Sequence, residues 1–141
     1  FYHTDSSKKS IYKIKINNVN KIVSKKIFKK FSSKDGSPDG MTLDKNKNLW
    51  VAHFHGACIS VFNKNAKLIH RVNLPAKNIT NCAFGGKNNK EIFITSATKG
   101  MNRADLQKFK YSGSLFSVKS NINGMLQKKF ILKYAKKRSL L

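Results

Sequence analysis

Three aromatic residues, Tyr2, Trp50 and Phe93, hold the same place in successive stretches of this chain, 48 and 43 residues apart. Each lies in a strand-like run that is followed by a polar turn and a further apolar run. A period of ~40–50 residues with four strands per unit is the sequence mark of a β-propeller blade. A β-sandwich also strings short strands at regular spacing, but it does not require a repeat, so the repeat favours the propeller. The pattern predicts strands over 1–5, 10–16 and 26–31, then 41–44, 49–54, 58–62 and 68–74, then 81–84, 91–96 and 114–118. Turn chemistry separates them at Asp35-Gly36, 45–48, 63–67 and 85–90. In the second strand Tyr12, Ile14 and Ile16 share one phase, which predicts that these three face a core and the intervening lysines face out.

A longer polar, partly helix-compatible insertion breaks the period over 101–111. The expected organisation is an all-β partial propeller of two to three blades over 1–126, followed by a last strand and basic tail over 127–141. Phe rather than Met at position 1 reads as a partial sequence. No apolar run approaches the ~20 residues that would span a bilayer, so no membrane partner is expected. Cys58 and Cys82 are far apart, lack metal or redox spacing and sit in apolar runs. They read as small buried hydrophobes in a reducing, cytoplasmic setting.

The net charge of +23 raises a nucleic-acid reading, because a dense cationic surface releases counterions on meeting phosphate. Arg, the residue suited to bidentate contacts with phosphate and base edges, occurs only at positions 71, 103 and 138. The lysines are spread through turns and strand faces. A solvated surface is therefore expected, with no specific nucleic-acid partner.

Six carboxylates constrain where chemistry can sit: Asp5, Asp35, Asp39, Asp44, Glu91 and Asp105. Asp44 and Glu91 flank hairpin turns and are expected to face solvent. Asp35 precedes Gly36 as a turn former, Asp105 lies in the insertion, and Asp5 is expected to bond the adjacent serines. Asp39 belongs to Ser37-Pro38-Asp39-Gly40, which reads as a tight turn with Gly40 at positive φ, just before the first strand of a blade. In a propeller that location is the rim of the central channel. His53 and His55 form an H-x-H pair, but a zinc site needs three or four protein ligands and no other ligand has suitable spacing.

The segments Ser37-Pro38-Asp39-Gly40-Met41, Leu49-Trp50-Val51-Ala52-His53, Thr80-Asn81-Cys82-Ala83-Phe84-Gly85-Gly86, Phe93-Ile94-Thr95-Ser96 and Gly113-Ser114-Leu115-Phe116, in this order, resemble the senescence-marker-protein, gluconolactonase and luciferin-regenerating-enzyme family. The resemblance covers the C-terminal half of a family member. It implies a six-bladed propeller in the complete protein, hydrolysis of sugar lactones, and one divalent metal ion (calcium or zinc, with magnesium or manganese as further options). It also implies that Asp39 is both a metal ligand and the general acid/base. The family's other metal ligands, a Glu and an Asn, fall in the missing N-terminal half. Matching Met41 and Leu43 with Cys82 and Phe84 puts Thr80 and Asn81 at the blade position of Asp39 and Gly40. They are candidates for substrate binding there, or else they tie down their own loop. A calcium-binding, regulatory propeller without catalysis is the other reading of the same residue.

Overall fold

The computed structural model describes residues 1–127; all but Gln127 of the expected last strand and tail lie outside the described residues. Apolar alternation and Asn/Gly/Lys turns produce ten strands among these residues, in three antiparallel sheets. The first sheet holds β1 (Tyr2–Asp5), β2 (Ser10–Ile16) and β3 (Ile22–Lys30), in that order. The second holds β4 (Ser37–Leu43), β5 (Leu49–Phe54), β6 (Cys58–Phe62) and β7 (Leu68–Asn73). The third holds β8 (Asn78–Gly85), β9 (Glu91–Ala97) and β10 (Leu115–Lys119). The insertion forms a helix, α1 (Arg103–Lys108), whose first turn is capped by the Asn102 side chain accepting from the Asp105 N–H.

The sheets meet the way blades do. β8 packs on β4 and β5, and β4 packs on β1, whereas β7 lies at the far side of its sheet and is largely exposed. The first strands therefore converge on an axis and the last strands splay from it. β1 stands to β4 as β5 stands to β8, so Tyr2 and Trp50 lie on corresponding strands, and Phe93 on β9 is second in its sheet as Trp50 is. The arrangement is a partial β-propeller, with one four-stranded blade between two three-stranded sheets.

The middle blade is apolar on both faces because both are covered. Leu49 and Val51 of β5 face the first sheet with Ile11, Phe31 and Phe62. Trp50 and Ala52 face the third, with Ile59, Val61, Ile79, Cys82, Ile92 and Ile94. Burial of each such Ile or Val side chain is worth roughly 1.5–3 kcal/mol. Trp50 is 7% exposed and meets Phe84 edge-on at 5.3 Å. Cys58 and Cys82 are buried and unpaired, and burial pushes the Cys82 thiol up to about 12.

Two expectations are corrected. In β2, Ile14 is buried but Ile16 is 47% exposed, while Ile11, of the opposite phase, is fully buried. The extra residues at the two register shifts, Phe28 and Val23, belong to β3, so β2 keeps its alternation. Ile11 is buried because its face packs on Leu49 and Val51 of the second sheet, opposite the face that carries Tyr12, Ile14 and Ile16. Asp44 is also not solvent-facing: it is fully buried. Its carboxylate accepts from the Asn48 backbone N–H at 2.9 Å, from Asn48 Nδ2 at 2.9 Å and from Trp50 Nε1 at 3.0 Å. The β4–β5 turn thus closes around the carboxylate.

The paired bulges of β4 and β8

Ser37-Pro38-Asp39-Gly40 is not a turn ahead of a strand; it is the first half of β4. Pro38 pairs with His53 and Met41 with Val51, so Asp39 and Gly40 together oppose a single residue and the strand bulges. Gly40 does not take a positive φ. Its requirement is space: a Cβ there would lie 2.1 Å from Asn81 Oδ1 and 2.7 Å from Asn81 Cα. β8 bulges at the matching place, with Thr80 unpaired between Ile79 and Asn81. The alignment of Asp39-Gly40 with Thr80-Asn81 drawn from the repeat is therefore an alignment of two bulges that touch.

We expect Gly40→Ala to destabilise the chain by about 1–3 kcal/mol, the usual cost of overpacking. The Asn81 backbone cannot swing aside as a side-chain tip can. Urea unfolding of the two chains would show it as a lower midpoint with an unchanged slope.

The other five carboxylates are committed. Asp5 accepts from Ser7 Oγ and the Lys8 N–H, and Asp35 from the Ser32 N–H and hydroxyl. Asp44 holds the β4–β5 turn, Glu91 accepts from Ser117, and Asp105 pairs with Lys77 at 2.5 Å. Ser6, expected to bond Asp5, instead donates to the Pro38 carbonyl at 2.7 Å. Asp39 alone has no side-chain partner among the described residues. It is half-buried, and desolvation holds its proton affinity above the usual carboxylate value, against the lowering effect of a bond from the Gly40 N–H. Of the other candidates, Thr80 is half-buried with its hydroxyl 2.7 Å from that of Thr95. Asn81 is exposed, and its Oδ1 accepts from the Cys82 N–H at 2.8 Å.

No three His, Cys, Asp or Glu side chains gather around one point among the described residues. A calcium-like ion takes six or more oxygens. Among the described residues no cation site is complete. The H-x-H pair does not share a strand face. His55 lies past the end of β5 with φ 64°, exposed, whereas His53 is fully buried against Phe31. His53 Nδ1–H donates to the Asp35 carbonyl at 2.7 Å, and Nε2 has no partner among the described residues.

Burial, and then the nearby Arg71 charge, hold the His53 imidazole below its ordinary pKa despite the Asp35 bond. A depressed histidine gives stability that is present above the unfolded value of about 6.5 and lost as pH falls through the lower folded value. We expect urea midpoints measured across pH to fall below about pH 6.5, with a smaller slope in His53→Phe.

The profile of the family described as the SMP-30/Gluconolactonase/LRE-like region matches residues 1–98. A Bacillus subtilis protein named "Putative sugar lactone lactonase YvrE" is 42% identical over 98 residues, covering 67% of this chain and 33% of that one. Regucalcin of Pongo abelii is 32% identical over 120 residues, covering 84% of this chain and 40% of its own. Among solved structures, a luciferin-regenerating enzyme superposes with a TM-score of 0.78 at 28% identity, covering 88% of this chain and 42% of that chain. These two curated relatives are thus matched over 33% and 40% of their own lengths. No helix among the described residues is long and apolar enough to cross a membrane.

Proposed function

This chain belongs to the SMP-30/gluconolactonase/LRE-like family, and from that premise we propose that a complete propeller containing it hydrolyses sugar lactones, with Asp39 as the proton-transferring carboxylate. The observation that carries the reading is the freedom of Asp39: among the described residues five of the six carboxylates are bound to neighbouring side chains, and this one is not. A carboxylate with raised proton affinity is a better general base near neutral pH than an ordinary one. Asp39 takes a proton from water as the oxygen adds to the lactone carbonyl. The ring C–O bond then breaks, and the same proton passes to the departing ring oxygen, leaving the open hydroxy acid. Thr80 and Asn81, on the adjoining bulge, are the proposed contacts to the substrate's hydroxyls.

Asp39 would contribute a ligand to a divalent cation whose other ligands come from outside this chain, the calcium or zinc of the family resemblance being the leading candidates. The test is turnover of gluconolactone and related lactones by the complete protein with calcium, zinc, magnesium and manganese, beside metal-only blanks. Cation binding without turnover would favour the regulatory reading. Residues 1–141 alone are expected to show no turnover above the blanks. Robust hydrolysis by the monomeric chain would overturn the assignment of a site completed from elsewhere.

A further inference from the structure

Thr4 on β1 and Ser6 just past it reach across to the β4 bulge and hold two of its carbonyls. Thr4 Oγ1 donates to the Asp39 carbonyl at 3.1 Å, and Ser6 Oγ donates to the Pro38 carbonyl at 2.7 Å. These carbonyls belong to the two peptide units that flank Asp39. In a trans peptide the C=O and N–H point in opposite directions. The unit whose oxygen meets Thr4 therefore carries the Gly40 N–H at its other end, and with the preceding unit it sets the direction of the Asp39 Cα–Cβ bond. Neither Asp39 nor Gly40 has a partner in the β4–β5 ladder. Gly40, lacking a Cβ, offers little resistance to rotation of this peptide unit. Something outside the blade has to fix it.

We propose that Thr4 and Ser6 are positioning residues for Asp39, locking the two peptide units around it so that its Cα–Cβ bond keeps the carboxylate aimed at the rim. This rests on the reading of Asp39 given above. The hydroxyls touch no reacting atom; they act through the backbone. The device is inter-blade, because the donors sit on and just past β1 while the carboxylate sits on β4.

The test compares Thr4→Val, Thr4→Ser, Ser6→Ala and Asp39→Asn in the complete propeller, assayed well below the melting temperature of each. Thr4→Val keeps shape and removes the donor, and misalignment on this scale is expected to cost on the order of ten- to a hundred-fold in kcat with KM little changed. Thr4→Ser, which restores the donor, is expected to recover the rate; a purely packing role for the side chain would not be rescued this way. Amide exchange gives a readout independent of turnover: the Gly40 N–H should exchange faster in Thr4→Val and regain protection in Thr4→Ser. Should Thr4→Val fail to fold, Ser6→Ala tests the preceding peptide unit by the same kcat and exchange measurements. Parental kcat and Gly40 protection in the folded donor-removing variants, with Asp39→Asn inactive, would overturn the positioning role and leave the reading of Asp39 intact. An active Asp39→Asn would overturn that reading, and this one with it.

Discussion

Asp39→Asn in the complete propeller is expected to lower kcat by about a hundred-fold or more, the scale of a lost general acid/base, without lowering the melting temperature measured at neutral pH in a chelator. The two halves of this expectation come from one cause. Desolvation raises the folded-state pKa of Asp39 above its unfolded value. A raised carboxylate contributes stability that is full below the unfolded pKa and is lost as pH rises through the folded one. At neutral pH the ionised Asp39 therefore weighs against the fold, and the neutral amide does not. The amide keeps an oxygen but cannot take up a proton from water. Thermal unfolding and lactone turnover on the same preparations give the check. A variant with near-parental kcat would reduce Asp39 to a backbone element of its bulge.

Asp44→Ala is expected to cost about 3 kcal/mol, because it leaves the buried Trp50 Nε1–H and the Asn48 donors without an acceptor. Asp44→Asn, which keeps one oxygen, should lose less. Equilibrium urea unfolding of the chain would measure both, and a change below ~0.5 kcal/mol, the size of an ordinary surface substitution, would show that the buried network carries no stability. The two substitutions separate the acidic residues by role. One carboxylate is retained at a cost to the fold, and the other holds it.

The architecture was legible in the sequence because a blade repeats its own strand grammar. The spacing of Tyr2, Trp50 and Phe93 placed them on corresponding strands, and the match of Met41 with Cys82 aligned two bulges. What failed were inferences that treat a segment as local. Pro-Asp-Gly has the residues of a turn, but a bulge draws on the same residues, and only the approach of Asn81 explains why position 40 must be glycine. Asp44 precedes Lys45-Asn46-Lys47, a solvated turn by composition, yet the indole six residues on pulls its carboxylate inward. In β2 the face opposite Ile14 and Ile16 packs on the second sheet and buries Ile11, and a period-two count gives the two faces without saying which a neighbouring blade covers. The clamp from Thr4 and Ser6 joins residues 32 and 35 positions apart. Its only trace in the sequence is a pair of hydroxyls beside Asp5.

The placement of the single tryptophan has a spectroscopic consequence. Trp50 lies in the seam between the second and third sheets, edge-on to Phe84 and bonded to Asp44, with no part in the core between the first and second sheets. Intrinsic emission from this chain is therefore a reporter of one seam. Far-ultraviolet dichroism averages over all three sheets. Where the two signals unfold together, the blades melt as one cooperative unit. Where dichroism falls first, the sheet that carries Thr4 and Ser6 has come away while the indole is still enclosed, and Asp39 has lost its anchor before the protein has lost its fold.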